Sequence, residues 1–191
     1  MSDTIRIPLH SSVSQEDFEG VAYTARWSME ALHQQTEERP FETEWSTAEG
    51  DATINYVRDF LLEVDYVVVR GKAAGATAEL IRSRLRTVSV KDALAAAKKA
   101  RSDDGRLGAL YQAVLAAESA DPQVLELLEK ALADEDPEVR RGAIFAAGYA
   151  EWKELKEPLE RVARDDADAE IREDAAAMLE GLGKVWKSRS G

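Results

Sequence analysis

One pattern constrains this chain more than any other: it repeats. Asp136, Val139, Arg140 and Ala143 recur as Asp168, Ile171, Arg172 and Ala175, each displaced by 32 residues. A degenerate copy lies 34 residues upstream of the first, where Arg106 and Ala109 match Arg140 and Ala143. The apolar helices before these markers repeat as well, with Leu127 and Ala131 matched to Leu159 and Ala163. A unit of this length cannot bury its apolar face alone, so successive copies must stack into a solenoid. From Ser89 onward alanine and leucine fall at helical spacing, which predicts two helices per unit and three units.

The chemistry of the repeat is that of a scaffold. Asp136 and Asp168 stand before helices, where a carboxylate accepts backbone N–H bonds, worth ~1 kcal/mol per cap. Pro137 falls at the first helical position, where its missing N–H costs nothing. Val139 and Ile171 point to the core. Arg140 and Arg172 follow the aspartates by four residues and can pair with their own or with a neighbouring repeat's aspartate. Ala109, Ala143 and Ala175 are small, as a close helix approach requires. The acidic turns at Asp134–Asp136 and Asp165–Asp168 lack the glycine and distal glutamate of a calcium loop, so they are read as caps.

This set resembles the HEAT repeat family, particularly its short form, over residues 89–183. The ankyrin and tetratricopeptide motifs are absent. The resemblance implies an all-α solenoid of three hairpins whose second helices present a continuous face for protein binding. Here that face would carry Tyr111, Arg141, Phe145, Tyr149 and Trp152, aromatic and arginine side chains of the kind that anchor interfaces. HEAT-like DNA-repair glycosylases line the same face with basic residues. In this chain Arg141 is matched by Leu107 and Glu173, so no basic stripe forms. Gly181–Gly183 is expected to stop the last helix, leaving residues 184–191 as a frayed basic tail. Trp186 in that tail either folds back as a lid or anchors a partner.

Residues 1–88 read differently, and no family is recognised in them. Ile5, Ile7 and Leu9 alternate in a short edge strand. Ser14 caps a helix whose stripe, Phe18, Val21, Ala22, Ala25, Met29 and Leu32, extends it over 15–38 until Arg39-Pro40. The period changes to two at Phe41, predicting a hairpin at 41–47 and 52–58. Residues 64–70 form a further strand, although apolar spacing across 54–69 also admits a helix. A short helix closes the unit near Arg86. The expectation is an α+β unit of order β-α-β-β-β-α that caps the solenoid.

Composition limits the function. The chain has 191 residues, with 37 acidic against 25 basic side chains, for a net charge of −12. The acidic excess is shared by both halves. Such a chain is a poor match for nucleic acid or an anionic membrane. There are no cysteines and only two histidines, His10 and His33. No phosphate loop, serine elbow or metal-ligand spacing appears, so no catalytic residue, cofactor or metal is assigned. His10 beside two serines is taken as chance. Without a transmembrane-length apolar run or a leader in Met1–His10, the expected location is cytoplasmic. The reading is a non-enzymatic interaction module or adaptor for another protein, of undetermined oligomeric state. One concrete form is an acidic inhibitor or immunity-type protein for a basic partner. The alternative is an enzyme or small-ligand receptor with a site in the N-terminal unit or at its junction with the repeats. Trp27, Trp45, Tyr56 and Tyr66 would line it, if they are not simply core.

Overall fold

A computed structural model describes residues 4–188. The chain divides into two compact units, one ending at Ser89 and the other beginning at Val90. The first is α+β and the second is a run of helices.

The first unit is a five-stranded antiparallel sheet in the order β1-β5-β4-β3-β2. Strand β1 (Thr4–Pro8) lies at one edge, where Pro8 removes a donor without breaking the sheet, and pairs with β5 from Thr4↔Arg70 to Pro8↔Tyr66. The expected hairpin is present as β3 (Phe41–Ser46) and β4 (Ala52–Asp59), joined by a turn in which Gly50 has φ 69°. Segment 64–71 is strand β5 (Val64–Gly71), which rules out the helical alternative across 54–69. A turn separates β4 from β5. In it the Asp59 carboxylate accepts the N–H groups of Leu61 (3.0 Å) and Leu62 (3.1 Å). Gly71 ends β5 at φ 113°, with Asp51 O only 2.4 Å from where a Cβ would sit, so no other residue fits.

Helix α1 (Gln15–Thr24) starts where Ser14 predicts. Ser14 and Asp17 form a reciprocal capping box, and this bonding holds the Asp17 carboxyl below the usual carboxylate range. The expected extent of this helix, 15–38, is corrected: it ends at Thr24. Arg26 turns left-handed at φ 58°, and residues 28–33 form an additional strand, β2 (Ser28–His33). The unit therefore runs β-α-β-β-β-β-α, closing with α2 (Ala74–Arg84). Met29 and Leu32 continued the helical stripe by coincidence of spacing. They are 46% and 47% exposed, while Trp27 turns back onto Phe18 at 6.2 Å between ring centres. Main-chain pairing with β3, with a bulge between Met29 and Ala31, outweighed the stripe.

Both helices cover the same sheet face. Phe18 of α1 stacks on Tyr56 (5.2 Å) and meets Trp45 edge-on (6.0 Å), and Ala78 and Ile81 of α2 complete the cluster. Burial, then the hydrogen bond to Asp65, pushes the Tyr56 hydroxyl well above its ordinary pKa. Trp27, Trp45, Tyr56 and Tyr66 are all buried, the first three within this cluster.

The second unit is three helical hairpins: α3 (Val90–Lys99) with α4 (Asp103–Ala116), α5 (Pro122–Leu132) with α6 (Pro137–Ala150), and α7 (Lys156–Asp165) with α8 (Ala169–Ser188). A 3-10 turn, Lys153–Leu155, leads into α7. The second helices stack, α4 on α6 and α6 on α8. Val139, Ile171, Ala143, Ala175 and Ala109 are buried as the repeat requires. Burial matches Leu128 rather than Leu127 to Leu159, so the first helices repeat one residue out of step with the second.

The expected stop at Gly181–Gly183 is corrected. Helix α8 passes through both glycines to Ser188, so 184–188 are helical, and 189–191 lie outside the described residues. Each glycine weakens the helix by ~1 kcal/mol. Tertiary packing offsets this. Leu182 is buried, and the Trp186 indole N–H donates to Glu151 O at 2.8 Å. Trp186 thus folds back onto the preceding hairpin.

Candidate functional site

The repeat turns settle what the aspartates and arginines do. Asp136 Oδ1 accepts the Glu138 N–H (2.8 Å), and Asp168 Oδ1 accepts that of Glu170 (2.8 Å). Two residues earlier, Asp134 and Asp166 accept the N–H groups of Asp136 (3.1 Å) and Asp168 (2.9 Å). Arg140 does not pair with either marker aspartate. It makes a bidentate pair with Asp166 of the next repeat, Nε to Oδ2 at 2.7 Å and Nη2 to Oδ1 at 3.0 Å. Its Nη1 also donates to the carbonyls of Asp134 (2.9 Å) and Glu135 (3.0 Å). Arg106 repeats the reach with Asp134 at 3.0 Å, and Arg172 donates to Asp166 O at 2.6 Å. Burial opposes the charge on Asp166, but Arg140, the Asp168 N–H and Arg172 bring its carboxyl below the usual range. These groups bolt one repeat to the next.

The expected binding face lies on α6 and just beyond it. Positions 141, 145 and 149 advance by four residues within α6, which keeps them on one side, whereas Trp152 lies past the left-handed Glu151 that ends the helix. Phe145 is 43% exposed, the most exposed large hydrophobic side chain among the described residues of the helical unit. Tyr149, one turn further along α6, and Trp152 beyond the helix end are half-buried, and Trp152 O accepts the Leu155 N–H that opens the 3-10 turn.

Tyr111 is placed elsewhere. It is buried, at 8% exposure, and its hydroxyl is 2.8 Å from where a Cβ on Gly142 would stand. Its task is the α4–α6 contact, which removes it from the exposed set. The signal was in the sequence, since Gly142 leaves room for a large neighbour on the second helix of the preceding hairpin.

Arg141 is also not an open anchor. Its Nε donates to Asp174 (2.9 Å), Nη1 to Glu138 (3.0 Å) and Nη2 to Glu170 (3.0 Å). The hydrogen bond to Asp174 and these charges raise its pKa further. Glu138 and Glu170 remain 73% and 81% exposed. One cation among three carboxylates leaves the patch net negative. Sequence reasoning picked out the arginine and missed the acids, because Glu170 and Asp174 belong to α8 and only stacking brings them to α6. The face therefore shows an exposed phenyl ring, two half-buried aromatics and a surplus of carboxylate.

Residues 90–180 match the family model described as HEAT repeats, and this segment carries HEAT repeats. No curated protein and no solved structure matches the chain. HEAT repeats in general serve protein interaction and scaffolding. No helix among the described residues is long and apolar enough to cross a membrane.

Proposed function

We propose that the HEAT-repeat unit is a protein-interaction module that binds a basic protein through the α6 face, with Phe145 as the central anchor and Tyr149 and Trp152 at its side. The observation that carries this reading is the exposed Phe145 next to a carboxylate-rich rim. An exposed aromatic gains area on docking, and the rim acids of Glu138, Glu170 and Asp174 steer a cationic surface toward it. Arg141 serves this face as a positioning residue that gathers the carboxylates. Tyr111 contributes from beneath by fixing the spacing of α4 and α6. The finer form of the proposal is an inhibitor or adaptor whose negative charge matches its partner.

The test is capture from lysate by the full chain, by Phe145→Ala, and by Glu138→Lys with Glu170→Lys. The exposed ring lets Phe145→Ala fold with a loss of about 1 kcal/mol or less. A basic protein held by the wild type, released by salt and lost by both variants supports the proposal. A partner retained by both, or an acidic one, overturns it.

A further inference from the structure

In the first unit a cleft of about 490 Å³ opens between α1 and α2, the size of a small-molecule site. Its floor is apolar: Val13, Val21, Ala25, Leu80 and Leu85 all pack on the core of the sheet. Its rim is cationic. Arg84 and Arg86 line it with Ser12, and neither arginine has a carboxylate partner among the described residues.

Arg86 is held in place. Its backbone oxygen accepts the His10 N–H (2.9 Å), and the neighbouring Val88 N–H donates to Pro8 O (2.9 Å). The Arg86 Nη1 donates to Ser12 Oγ at 3.2 Å, and Nη2 lies 3.3 Å from His10 Nε2. The Ser12 hydroxyl and backbone N–H both point to His10 Nδ1, at 2.8 Å and 3.1 Å. The Ser12 hydroxyl thus orients the Arg86 guanidinium, and no carboxylate is bonded to it among the described residues. The one acidic lining residue, Asp17, has its Oδ2 committed to the Ser14 N–H (2.8 Å) and hydroxyl (2.9 Å). Gly20 lines the cleft too, and a Cβ added there would meet nothing within 4 Å.

We propose that this cleft binds a small organic anion: a carboxylate or phosphate monoester joined to a compact apolar group. The oxyanion sits on Arg84 and Arg86, the latter oriented by Ser12, and the apolar group on Val13, Val21, Leu80 and Leu85. Bidentate donors suit either oxyanion, and the apolar floor excludes a bare inorganic ion as the preferred ligand. This site is independent of the α6 face.

The experiment titrates the full chain, followed by backbone amide NMR, with phenyl phosphate, phenylacetate, inorganic phosphate and benzyl alcohol. Saturable shifts at Ser12, Val13, Gly20 and Arg86 are expected with phenyl phosphate or phenylacetate, at least tenfold tighter than with inorganic phosphate or benzyl alcohol. Whichever anion binds more tightly identifies the oxyanion class. Arg86→Gln weakens binding at least tenfold. Gly20→Leu fills the cleft and abolishes binding while its spectrum elsewhere stays that of the wild type, which separates blockage from unfolding. Absence of saturable shifts at these amides with both organic anions, or binding unchanged in both variants, overturns the proposal.

Discussion

Arg140 shows how much one side chain can carry in a repeat. It closes its own turn through two carbonyls and reaches Asp166 of the next repeat, and both partners of that pair are nearly out of solvent, at 13% and 6% exposure. Removing one partner of a buried pair strands the other, which typically costs about 3 kcal/mol. Arg140→Ala should therefore unfold at much lower denaturant than Arg106→Ala, whose equivalent pair is far more exposed, at 45% and 20%. Because the folded Asp166 carboxyl titrates below its ordinary value, its contribution is complete above about pH 4 and is lost as pH falls through the lowered pKa. Denaturant melts from pH 6 to pH 2 should thus show a shallower acid limb in Asp166→Asn than in the wild type. The capping role of Asp136 was legible, since a carboxylate before Pro137 has few other tasks. The partner of Arg140 was not, because spacing along one helix leaves the neighbouring repeat out of view.

At the scale of elements, local signals located starts better than ends. Ser14 and Asp136 each begin a helix where a short polar side chain precedes the first turn. The ends of α1 and α8 went the other way. Helix α1 stops short because Arg26 takes a left-handed turn that no residue preference demands and the chain then finds β3 to pair with. Helix α8 runs on through glycines because Leu182 and Trp186 gain contacts beyond their own helix. Trp186→Phe should cost about 1 kcal/mol by losing the bond to Glu151 O, and Trp186→Ala more. Hydrogen exchange should then show faster opening confined to residues after Leu182. Equal protection in Trp186→Ala and wild type would mean that the last turns hold without the indole.

Across the whole molecule, the division into an α+β unit and a helical repeat was open to reading because runs of period two occur only before residue 72, while from Ser89 onward every apolar stripe is helical and repeats. The binding face was legible only in outline. Phe145 and Tyr149 share a side by periodicity alone, whereas the place of Trp152 depends on the left-handed turn at Glu151, and the burial of Tyr111 and the acids around Arg141 depend on stacking between repeats. The net charge of −12 gains a location in that patch, where three carboxylates surround one arginine.

The most direct test of the α6 face is site-specific photo-crosslinking. A benzoylphenylalanine replaces Phe145 in one protein and Glu129, an exposed residue of α5, in another. Each is irradiated in lysate, and the adducts are identified. The expected result is a single strong adduct to a basic protein from position 145, suppressed by added salt and by Glu138→Lys with Glu170→Lys, and none from position 129. Adducts from position 129 with none from 145, or equal yields from both, would contradict the account.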